Sequence, residues 1–474
     1  MNRDEYTSPL ISRYASGEMS RIFCDNFKYK TWRKLWIALA EAQKDLGINI
    51  GDEQIDELKK NIDNIDYDYV SKIEKEKKHD VMSHIEGYAR YAPQGAGILH
   101  LGATSAFVTD NTDLIQIREA GRLILKKLLI LIDNLSDKAM QYRDLPVLGF
   151  THFQPAQPTT AGKRFCLWLY ELFEDALEME DFLKKLPFRS AKGTVGTMAS
   201  YMEIFNNDEK KCMELDRKVA QSFGFEHTFP VTGQTYSRKT DYRLSAILSG
   251  IGQSLIKMAT DIRLLQHRRE VMEPFGASQV GSSAMPYKQN PMKCERITSL
   301  ARYLLTKPVD FANIASGQWL ERTLDDSALR RIIIPESFLT ADAVLSLATV
   351  VIKGINVNER IISKNLSAYL PLMLSEKLIA VMARDGVSRQ EAHSRIRDIS
   401  LGLIEEMRLE EVLERFLEDE IIGRYKDFIK QICDPGLHTG LAGRQVEEFI
   451  KNSVKPMLDR YRDQLADAGY EHSI

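Results

Sequence analysis

Apolar residues recur at intervals of three and four positions over several long stretches of the chain. One such stretch has apolar side chains at Leu244, Ile247, Leu248, Ile251, Leu255, Met258, Ile262 and Leu265. This spacing puts them on one face of an α-helix. Residues 123–135 and 338–352 are apolar on nearly every side, which is typical of helices inside a bundle. Because few segments alternate with a period of two, the pattern predicts an all-α fold of long helices packed side by side.

Glycine and proline, the residues that interrupt regular structure, are scarce at 27 and 15 in 474 residues. They contribute to turn-rich breaks near residues 91–105 and 353–357, and to further breaks at 434–436 and 439–440. We therefore predict three helical domains: an N-terminal domain of residues 1–104, a central long-helix bundle of residues 105–357 and a C-terminal domain of residues 358–474.

Composition narrows the classes of function. Hydrophobic residues make up 44% of the chain and charged residues 28%, which is typical of a soluble globular protein. The formal net charge of -3 excludes a bulk electrostatic attraction to nucleic acid or to an anionic membrane, so we expect neither as a partner. Any anionic ligand must therefore be bound by Arg and Lys side chains that lie close together at its site.

The cysteines and the N-terminal residues indicate the cellular compartment in which we expect the protein. The five cysteines are far apart and include no C-x-x-C pair, which favours free thiols in a reducing environment over disulfides or a zinc site. Residues 1–5 are polar and begin no apolar signal segment, and no run of about 18 apolar residues is present. We therefore expect a cytoplasmic protein that crosses no membrane.

The segment 281–291 lies between strong helical patterns but is a poor helix or strand. It reads GSSAMPYKQNP, and its two prolines and leading glycine interrupt regular structure. One interpretation is an ordinary loop between helices. The other is a catalytic loop, because its two hydroxyls, lysine, amide and free N–H groups could bind a carboxylate and stabilise charge developing on it. The signatures of P-loop, dinucleotide-binding, zinc-protease and α/β-hydrolase proteins are absent from the sequence.

This segment resembles the signature G-S-S-x-M-P-x-K-x-N-P of the fumarase/aspartase superfamily. Members of that superfamily share an all-α tetrameric fold, and they eliminate fumarate from a substituted succinate or catalyse a closely related reaction. Tyr287, where bacterial relatives usually carry His, resembles the animal-type branch of the adenylosuccinate lyases. Four further stretches also resemble the adenylosuccinate lyases, and the resemblance extends from residue 8 to about residue 456. These stretches are 8–16, 78–82, 148–157 and 321–331.

The resemblance implies a catalytic base in the signature loop. It places the base at Ser282, with Ser283 as the alternative, although a loop serine considered alone is usually a turn residue. Neutral serine is a poor base, so nearby charge and loop closure must activate it. Lys288 and Asn290 are implied to hold the succinyl carboxylate and to stabilise the aci-carboxylate formed when the proton leaves.

Two histidines are implied to complete the catalytic set. His152 would be the general acid that protonates the departing nitrogen, because the pKa of a histidine lies near working pH. The alternative for a lone histidine near aromatic residues is a structural role. His79 follows a charged run and could be a solvated residue of a helix. The resemblance instead favours a ligand-binding role, either near a phosphate or in support of His152.

The substrate implied by the family carries a phosphate and two carboxylates, so a nearly neutral protein needs a local group of cations to bind it, and Arg binds such groups in bidentate fashion. Thr104 and Ser105 could bind a carboxylate and could also cap the following helix. The full set of implied substrate contacts is Arg13, Tyr14, Lys78, His79, Asp80, Thr104, Ser105, Thr151, Gln234, Lys288, Asn290, Arg296, Arg322, Ser327 and Arg331.

The function implied by the resemblance is a lyase of purine nucleotide biosynthesis that needs no metal and no organic cofactor. It would release fumarate from adenylosuccinate, giving AMP, and from succinylaminoimidazole carboxamide ribotide, giving aminoimidazole carboxamide ribotide. One alternative is another fumarate-releasing lyase, such as argininosuccinate lyase. A second alternative is a non-catalytic binding protein on the same fold.

The resemblance also implies a homotetramer. The long central helices of four subunits would form a core of about 20 helices, and each active site would be built from three chains. The central helices are apolar over wide faces, which is compatible with this assembly. Small-molecule substrates and further copies of the chain are thus the expected partners.

Overall fold

A computed structural model describes residues 4–276, 278–405 and 408–466. Long helices dominate the described residues, and the strands are few and short, so the predicted all-α fold is confirmed. The helices before the signature loop are α1 Gly17–Ile22, α2 Asp25–Asp45, α3 Asp52–Lys60, α4 Tyr67–Lys77, α5 Asp80–Tyr91, α6 Ser105–Gln141, α7 Ala161–Lys185, α8 Ala199–Ile204, α9 Glu209–Ser222 and α10 Lys239–His267. Those after it are α11 Met292–Ser316, α12 Asp325–Lys353, α13 Glu359–Met373, α14 Ser375–Arg384, α15 Arg389–Glu405, α16 Val412–Glu418, α17 Lys426–Ile432, α18 Ala442–Phe449, α19 Lys455–Asp459 and α20 Arg462–Ala466. The strands are β1 Pro146–Thr151, β2 Gln154–Thr160, β3 Val271–Met272 and β4 Asn356–Val357.

Five long helices form the central bundle. Helix α7 runs back along α6, because the N–H group of Gly162 binds the carbonyl of Tyr142 where α6 ends. Helices α10 and α12 run parallel to α6, since ion pairs join Arg238 to Asp110 and to Asp326 where all three helices begin. Helix α11 returns antiparallel between α10 and α12. We call the end of the bundle where α6, α10 and α12 begin the first end, and the end where α7 and α11 begin the second end.

The bundle core has the composition that the periodicity predicts. Along α10, the apolar face from Leu244 to Leu265 is buried, with Ile247 half-buried at its edge. Helix α12 is long and apolar enough to cross a membrane, but 83% of its apolar window is buried inside the fold, so it packs as a core helix. Residues 359–384 pass the same length and composition test and are 39% buried, and here the chain forms two helices, α13 and α14.

A β-hairpin joins α6 to α7, where the sequence predicts no strand. Strands β1 and β2 pair antiparallel, and the pairing of Thr151 with Gln154 leaves two residues in the turn. The pattern is hard to recognise because β2 contains Pro155 and Pro158, which cannot donate to a strand ladder and are restricted to sheet edges. The hairpin packs against α13.

The described residues contain one large apolar core, a smaller separate one, and two clusters of three buried residues each beside the β-hairpin. The large core includes the bundle and residues 446–457 near the C-terminus. The smaller core lies within residues 370–432, around Leu374, Phe416 and Ile422. Helix α6 begins at Ser105 and β4 ends at Val357, next to the predicted domain boundaries, but the division into three domains stays a prediction.

Candidate functional site

A cleft of about 1020 Å³ lies at the first end of the bundle. Its walls are the start of α2, the turn between α4 and α5, the starts of α6 and α12, and the segment before α10. Nine of the residues implied by the sequence line it together, although they are spread over more than half of the chain. They are Lys78, His79, Asp80, Thr104, Ser105, Gln234, Arg322, Ser327 and Arg331.

The turn between α4 and α5 aims His79 into the cleft. Lys78 ends α4 with φ 55° and ψ 35°, a left-handed conformation that costs energy for a residue with a side chain. His79 then caps α5, since its Nδ1 accepts a hydrogen bond from the N–H of Met82 at 3.3 Å. With Nδ1 accepting, the ring proton is on Nε2, which lies 3.5 Å from the hydroxyl oxygen of Ser105. His79 therefore caps α5 at the cleft wall, and its ligand-binding role stays a prediction.

Thr104 and Gln234 meet in the cleft wall. Thr104 occupies the N-cap position of α6, but its side chain makes no capping hydrogen bond, so the capping role expected for it is wrong. Its hydroxyl instead accepts a hydrogen bond of 3.1 Å from the amide of Gln234. This contact fixes the segment before α10 against the start of α6.

A buried network of charges forms the floor of the cleft. Arg238 binds Asp110 through two hydrogen bonds of 3.1 Å each, and Asp326 through one of 2.7 Å. Arg330 binds Asp241 and Asp113, both at 2.8 Å. All of these side chains except that of Asp113 are almost fully buried, so each charge depends on its partners. The network joins the starts of α6, α10 and α12 and thereby sets the width of the cleft.

Burial and neighbouring charges shift acid–base equilibria in the cleft. Burial raises the pKa of the Asp113 carboxyl in spite of the Arg330 guanidinium beside it. Burial alone would raise the pKa of Asp110 too, but Arg238 and Arg330 outweigh it and hold that pKa below its usual value. Burial lowers the pKa of the Lys28 ammonium, and the nearby Arg331 guanidinium adds to the effect.

The signature loop lies at the second end of the bundle, where the amide of Gln266 near the end of α10 binds the carbonyl of Gln289. The Ser282 hydroxyl accepts hydrogen bonds from the N–H groups of Ala284 at 3.3 Å and Met285 at 3.1 Å. Lys288 is exposed. The loop therefore presents a hydroxyl held by two backbone donors.

The base of this loop is tightly closed. The amide of Asn290 donates a 2.8 Å hydrogen bond to the carbonyl of Gly281. A side chain at position 281 would put its Cβ 1.9 Å from the carbonyl oxygen of Lys288, so only glycine fits there. Asn290 thus holds the two ends of the loop together, and a direct contact between Asn290 and substrate stays a prediction.

Three other implied residues lie next to one another. The Tyr14 ring has the Arg13 guanidinium 5.9 Å from its centroid and the Arg296 guanidinium 5.7 Å from it. Arg296 lies in the second turn of α11, directly after the signature loop. The backbone N–H of Ser16 binds Asp342 of α12 at 2.6 Å and anchors the segment that carries Tyr14. None of the three lines the cleft.

His152 lies at the tip of the β-hairpin. It and Phe153 form the two-residue turn with φ of 52° and 58°, the left-handed pair that tight hairpins of this kind require. Neither residue is the glycine or asparagine that favours this conformation, so the turn is strained. Thr151 and His152 are exposed, and Phe153 is 52% exposed, so the tip of the hairpin projects into solvent.

Known proteins place the chain in a family. A family model described as "Lyase" matches residues 15–304, and one described as "Adenylosuccinate lyase C-terminus" matches residues 371–449. The adenylosuccinate lyase of Saccharomyces cerevisiae is 45% identical over 472 residues, covering 98% of each chain. That of Schistosoma mansoni is 44% identical over 470 residues, again covering 98% of each chain. The chain belongs to the adenylosuccinate lyase family.

Solved structures of other enzymes share the fold of this adenylosuccinate lyase family member. A fumarate lyase from Mesorhizobium sp. BNC1 superposes with a TM-score of 0.81 at 22% identity, over 94% of this chain and 100% of that one. A 3-carboxy-cis,cis-muconate lactonizing enzyme from Pseudomonas putida gives a TM-score of 0.80 at 22% identity, over 96% and 100% of the two chains. The sequence relatives confirm the family resemblance, and these structures confirm the fold.

Within a single chain of this family member, the implied residues lie in separate places. The cleft is at the first end of the bundle, and the signature loop and the hairpin are at the second end. The 37 residues of α6 span about 55 Å between Ser105 and the start of the hairpin. The 29 residues of α10 span about 44 Å between Gln234 and the signature loop. A single copy of the chain therefore cannot bring His79 and Ser282 to the same substrate.

The sequence did not indicate every polar residue of the cleft. Lys28 and Tyr29 of α2 line it, as do all the charged residues of the floor network except Asp241. A lysine next to two aromatic residues gives no motif, and buried ion pairs can be recognised only when their partners are known. Among the described residues, no group of three His, Cys, Asp or Glu side chains is placed to hold a metal ion.

Proposed function

We propose that this enzyme releases fumarate from adenylosuccinate, giving AMP, and from succinylaminoimidazole carboxamide ribotide, giving aminoimidazole carboxamide ribotide. The observation that carries the proposal is the 45% identity to an adenylosuccinate lyase over 98% of both chains. The cleft adds support, because it gathers nine of the implied residues at one place. In the reaction a base removes a proton from carbon, the C–N bond breaks, and an acid protonates the departing nitrogen.

Ser282 is proposed as the base. Hydrogen bonds donated to its oxygen by the N–H groups of Ala284 and Met285 favour the deprotonated hydroxyl over the neutral one. The Lys288 ammonium follows in the same loop and would stabilise the negative charge that develops on the substrate carboxylate. Because the loop is exposed in one subunit, it needs a covering surface that excludes water before the base can act.

His152 is proposed as the general acid. Its place in a strained, projecting turn suits a residue that is inserted into another surface. His79 is proposed to contact the ligand through its Nε2–H, because its Nδ1 is used by the helix cap. Arg322, Ser327 and Arg331, at or near the start of α12, would bind the anionic groups together with the positive end of that helix.

We propose that each active site combines surfaces from several subunits of a homotetramer. The distance of about 44 Å along α10 separates the cleft from the signature loop, so a complete site needs the first end of one bundle beside the second end of another. Exposed apolar side chains on the bundle helices support such packing. They include Leu167, Tyr170, Val309 and Ile332.

The test is an absorbance assay for fumarate release with the purified protein. We expect turnover of adenylosuccinate and of the ribotide, and none of argininosuccinate. Turnover of argininosuccinate alone would assign the other fumarate-releasing activity. Tight binding of adenylosuccinate without turnover would support a binding protein.

The cellular compartment and the class of partner are proposed from the cysteines and the charge of the chain. All five cysteines are free, which suits a reducing compartment, and we propose the cytoplasm. The net charge of -3 and the cluster of basic residues in a cleft suit small anionic substrates better than a nucleic acid or a membrane.

A further inference from the structure

Lys28 reaches the cleft from the first turns of α2. Its ammonium lies 5.1 Å from the centroid of the Tyr29 ring and 5.4 Å from that of the Trp32 ring. Trp32 is fully buried, so the ammonium lies over an aromatic surface that is fixed by the core. Among the residues that the structure describes, Lys28 has no hydrogen-bond acceptor and no carboxylate within ion-pair distance. The rings of Tyr29 and Trp32 therefore position the Lys28 ammonium without neutralising its charge.

The charges around Lys28 leave its ammonium poorly compensated. Arg331 is close enough to disfavour the charged form, and Asp113, Asp80 and Asp25 are close enough to favour it. Two of these carboxylates already have cationic partners. Asp80 pairs with Arg331 at 3.1 Å, and Asp113 pairs with Arg330 at 2.8 Å. The effect of burial is larger than that of the three carboxylates, so the pKa of Lys28 is lowered.

A half-buried cation without an ion-pair partner is costly unless something else supplies the negative charge. Lys28 and Arg331 both line the cleft, and the Arg331 guanidinium is close enough to disfavour the charged form of Lys28. An anionic oxygen placed between two such cations would relieve their repulsion and receive charge-assisted hydrogen bonds. The cleft therefore offers a binding position for an anion between Lys28 and Arg331.

We propose that Lys28 is a substrate-binding residue whose ammonium, together with Arg331, holds an anionic oxygen of the substrate. This inference rests on the proposed lyase function. The substrate offers two kinds of anionic oxygen, those of its phosphate and those of its succinyl carboxylates. Either kind fits the chemistry of the pair, and the products separate them, because AMP carries only the phosphate and fumarate only the carboxylates.

The test compares Lys28→Met with Lys30→Met in the full-length enzyme. Met keeps the apolar stem and removes the charge. Lys30 is a matched control on the same helix, because it pairs with Asp63 at 2.7 Å and does not line the cleft. We expect Lys28→Met to raise the KM for adenylosuccinate about tenfold or more, the cost of a lost charge-assisted hydrogen bond. Lys28→Arg should recover part of the affinity, and Lys30→Met should stay within about twofold of wild type.

Product inhibition identifies the group that Lys28 holds. A weaker inhibition constant for AMP in Lys28→Met, with that for fumarate unchanged, assigns Lys28 to the phosphate. The reverse result assigns it to a carboxylate. Unchanged KM and unchanged inhibition by both products would overturn the proposal while leaving the lyase function intact. A wild-type protein that releases no fumarate from either substrate would overturn the lyase function itself.

Discussion

The guanidinium of Arg238 holds the carboxylate of Asp110 through two hydrogen bonds of 3.1 Å, at the floor of the cleft. A third hydrogen bond, 2.7 Å long, joins the same guanidinium to Asp326. One side chain thus connects the starts of α6, α10 and α12. The walls that carry Ser105, Gln234 and Ser327 are positioned by this buried contact, although none of its three residues was implied by the sequence.

Replacing Arg238 with Met should therefore destabilise the fold strongly. The change leaves Asp110 without its bidentate partner and Asp326 without an ion pair, both inside the protein. We expect a loss of about 3–5 kcal/mol in the free energy of unfolding, as for other buried pairs broken on one side. Urea denaturation at fixed protein concentration measures it. Arg243→Met on the exposed side of α10 is the control and should change stability by about 0.5 kcal/mol or less. Equal effects of the two variants would contradict the role given to the network.

Replacing Ser282 with Ala should abolish turnover and leave substrate affinity within about tenfold of wild type. The reason is that a base acts chiefly in the transition state, so its loss affects kcat more than binding. The measurements are kcat from fumarate release and Kd from calorimetry. Ser283→Ala is the matched control and should remain active. An active Ser282→Ala enzyme beside an inactive Ser283→Ala enzyme would move the base to Ser283.

Two inactive variants from opposite ends of the bundle should complement each other. We expect His79→Ala and Ser282→Ala to regain activity when equal amounts are dissociated and reassociated together. If a site takes these residues from different subunits, random mixing leaves about one quarter of the sites with both residues intact. Each variant treated alone is the control. Hybrids without activity would show that the two residues do not come from different chains.

Replacing His152 with Ala should lower kcat by at least about 10², the usual cost of losing a general acid. A substrate analogue with a better leaving group needs less protonation and should recover part of the rate. The slope of log kcat against leaving-group pKa measures this dependence in both enzymes. If the loss were the same for every leaving group, His152 would be a binding residue instead.

Asp175 should make stability fall as pH rises. It is buried in α7, accepts a 2.6 Å hydrogen bond from Ser254, and has its pKa raised to about 7, mainly by burial, with Glu178 adding to the effect. In the unfolded chain the pKa is about 3.9. The folded state therefore binds a proton that the unfolded state releases between about pH 4 and pH 7, and this contribution is complete below pH 4 and lost by pH 7.

Asp175→Asn keeps a neutral polar group and should remove this dependence. Relative to the variant, the wild-type free energy of unfolding should fall over that window by at most about 1.4 kcal/mol per pH unit. Urea denaturation at several pH values measures the difference. Asp181→Asn, on the exposed side of the same helix, should show no such change. Parallel curves for Asp175→Asn and wild type would refute the assignment.

The sequence by itself determined helical stretches within α6, α10 and α12, and the buried face of α10. Periodicity is local, so the apolar residues of α10 and α12 could be assigned before any contact was known. The signature loop and the family were also available from the sequence, because they depend on residue order alone. The β-hairpin was not, since its turn has no glycine or asparagine and its second strand contains two prolines.

Only the tertiary structure decided where these residues meet. Whether Thr104 caps α6 or binds Gln234 depends on a contact across 130 positions of sequence. The pairing of Arg238 with Asp110 and the place of Lys28 on an aromatic wall likewise depend on how separate helices pack. Helix α6 carries Ser105 and the His152 hairpin to ends about 55 Å apart, a separation that follows from its 37 residues once they are known to form one helix. The type of each residue can be known from the chain alone. A site, however, forms only where distant residues are brought together, and the directions of the packed helices decide which residues meet.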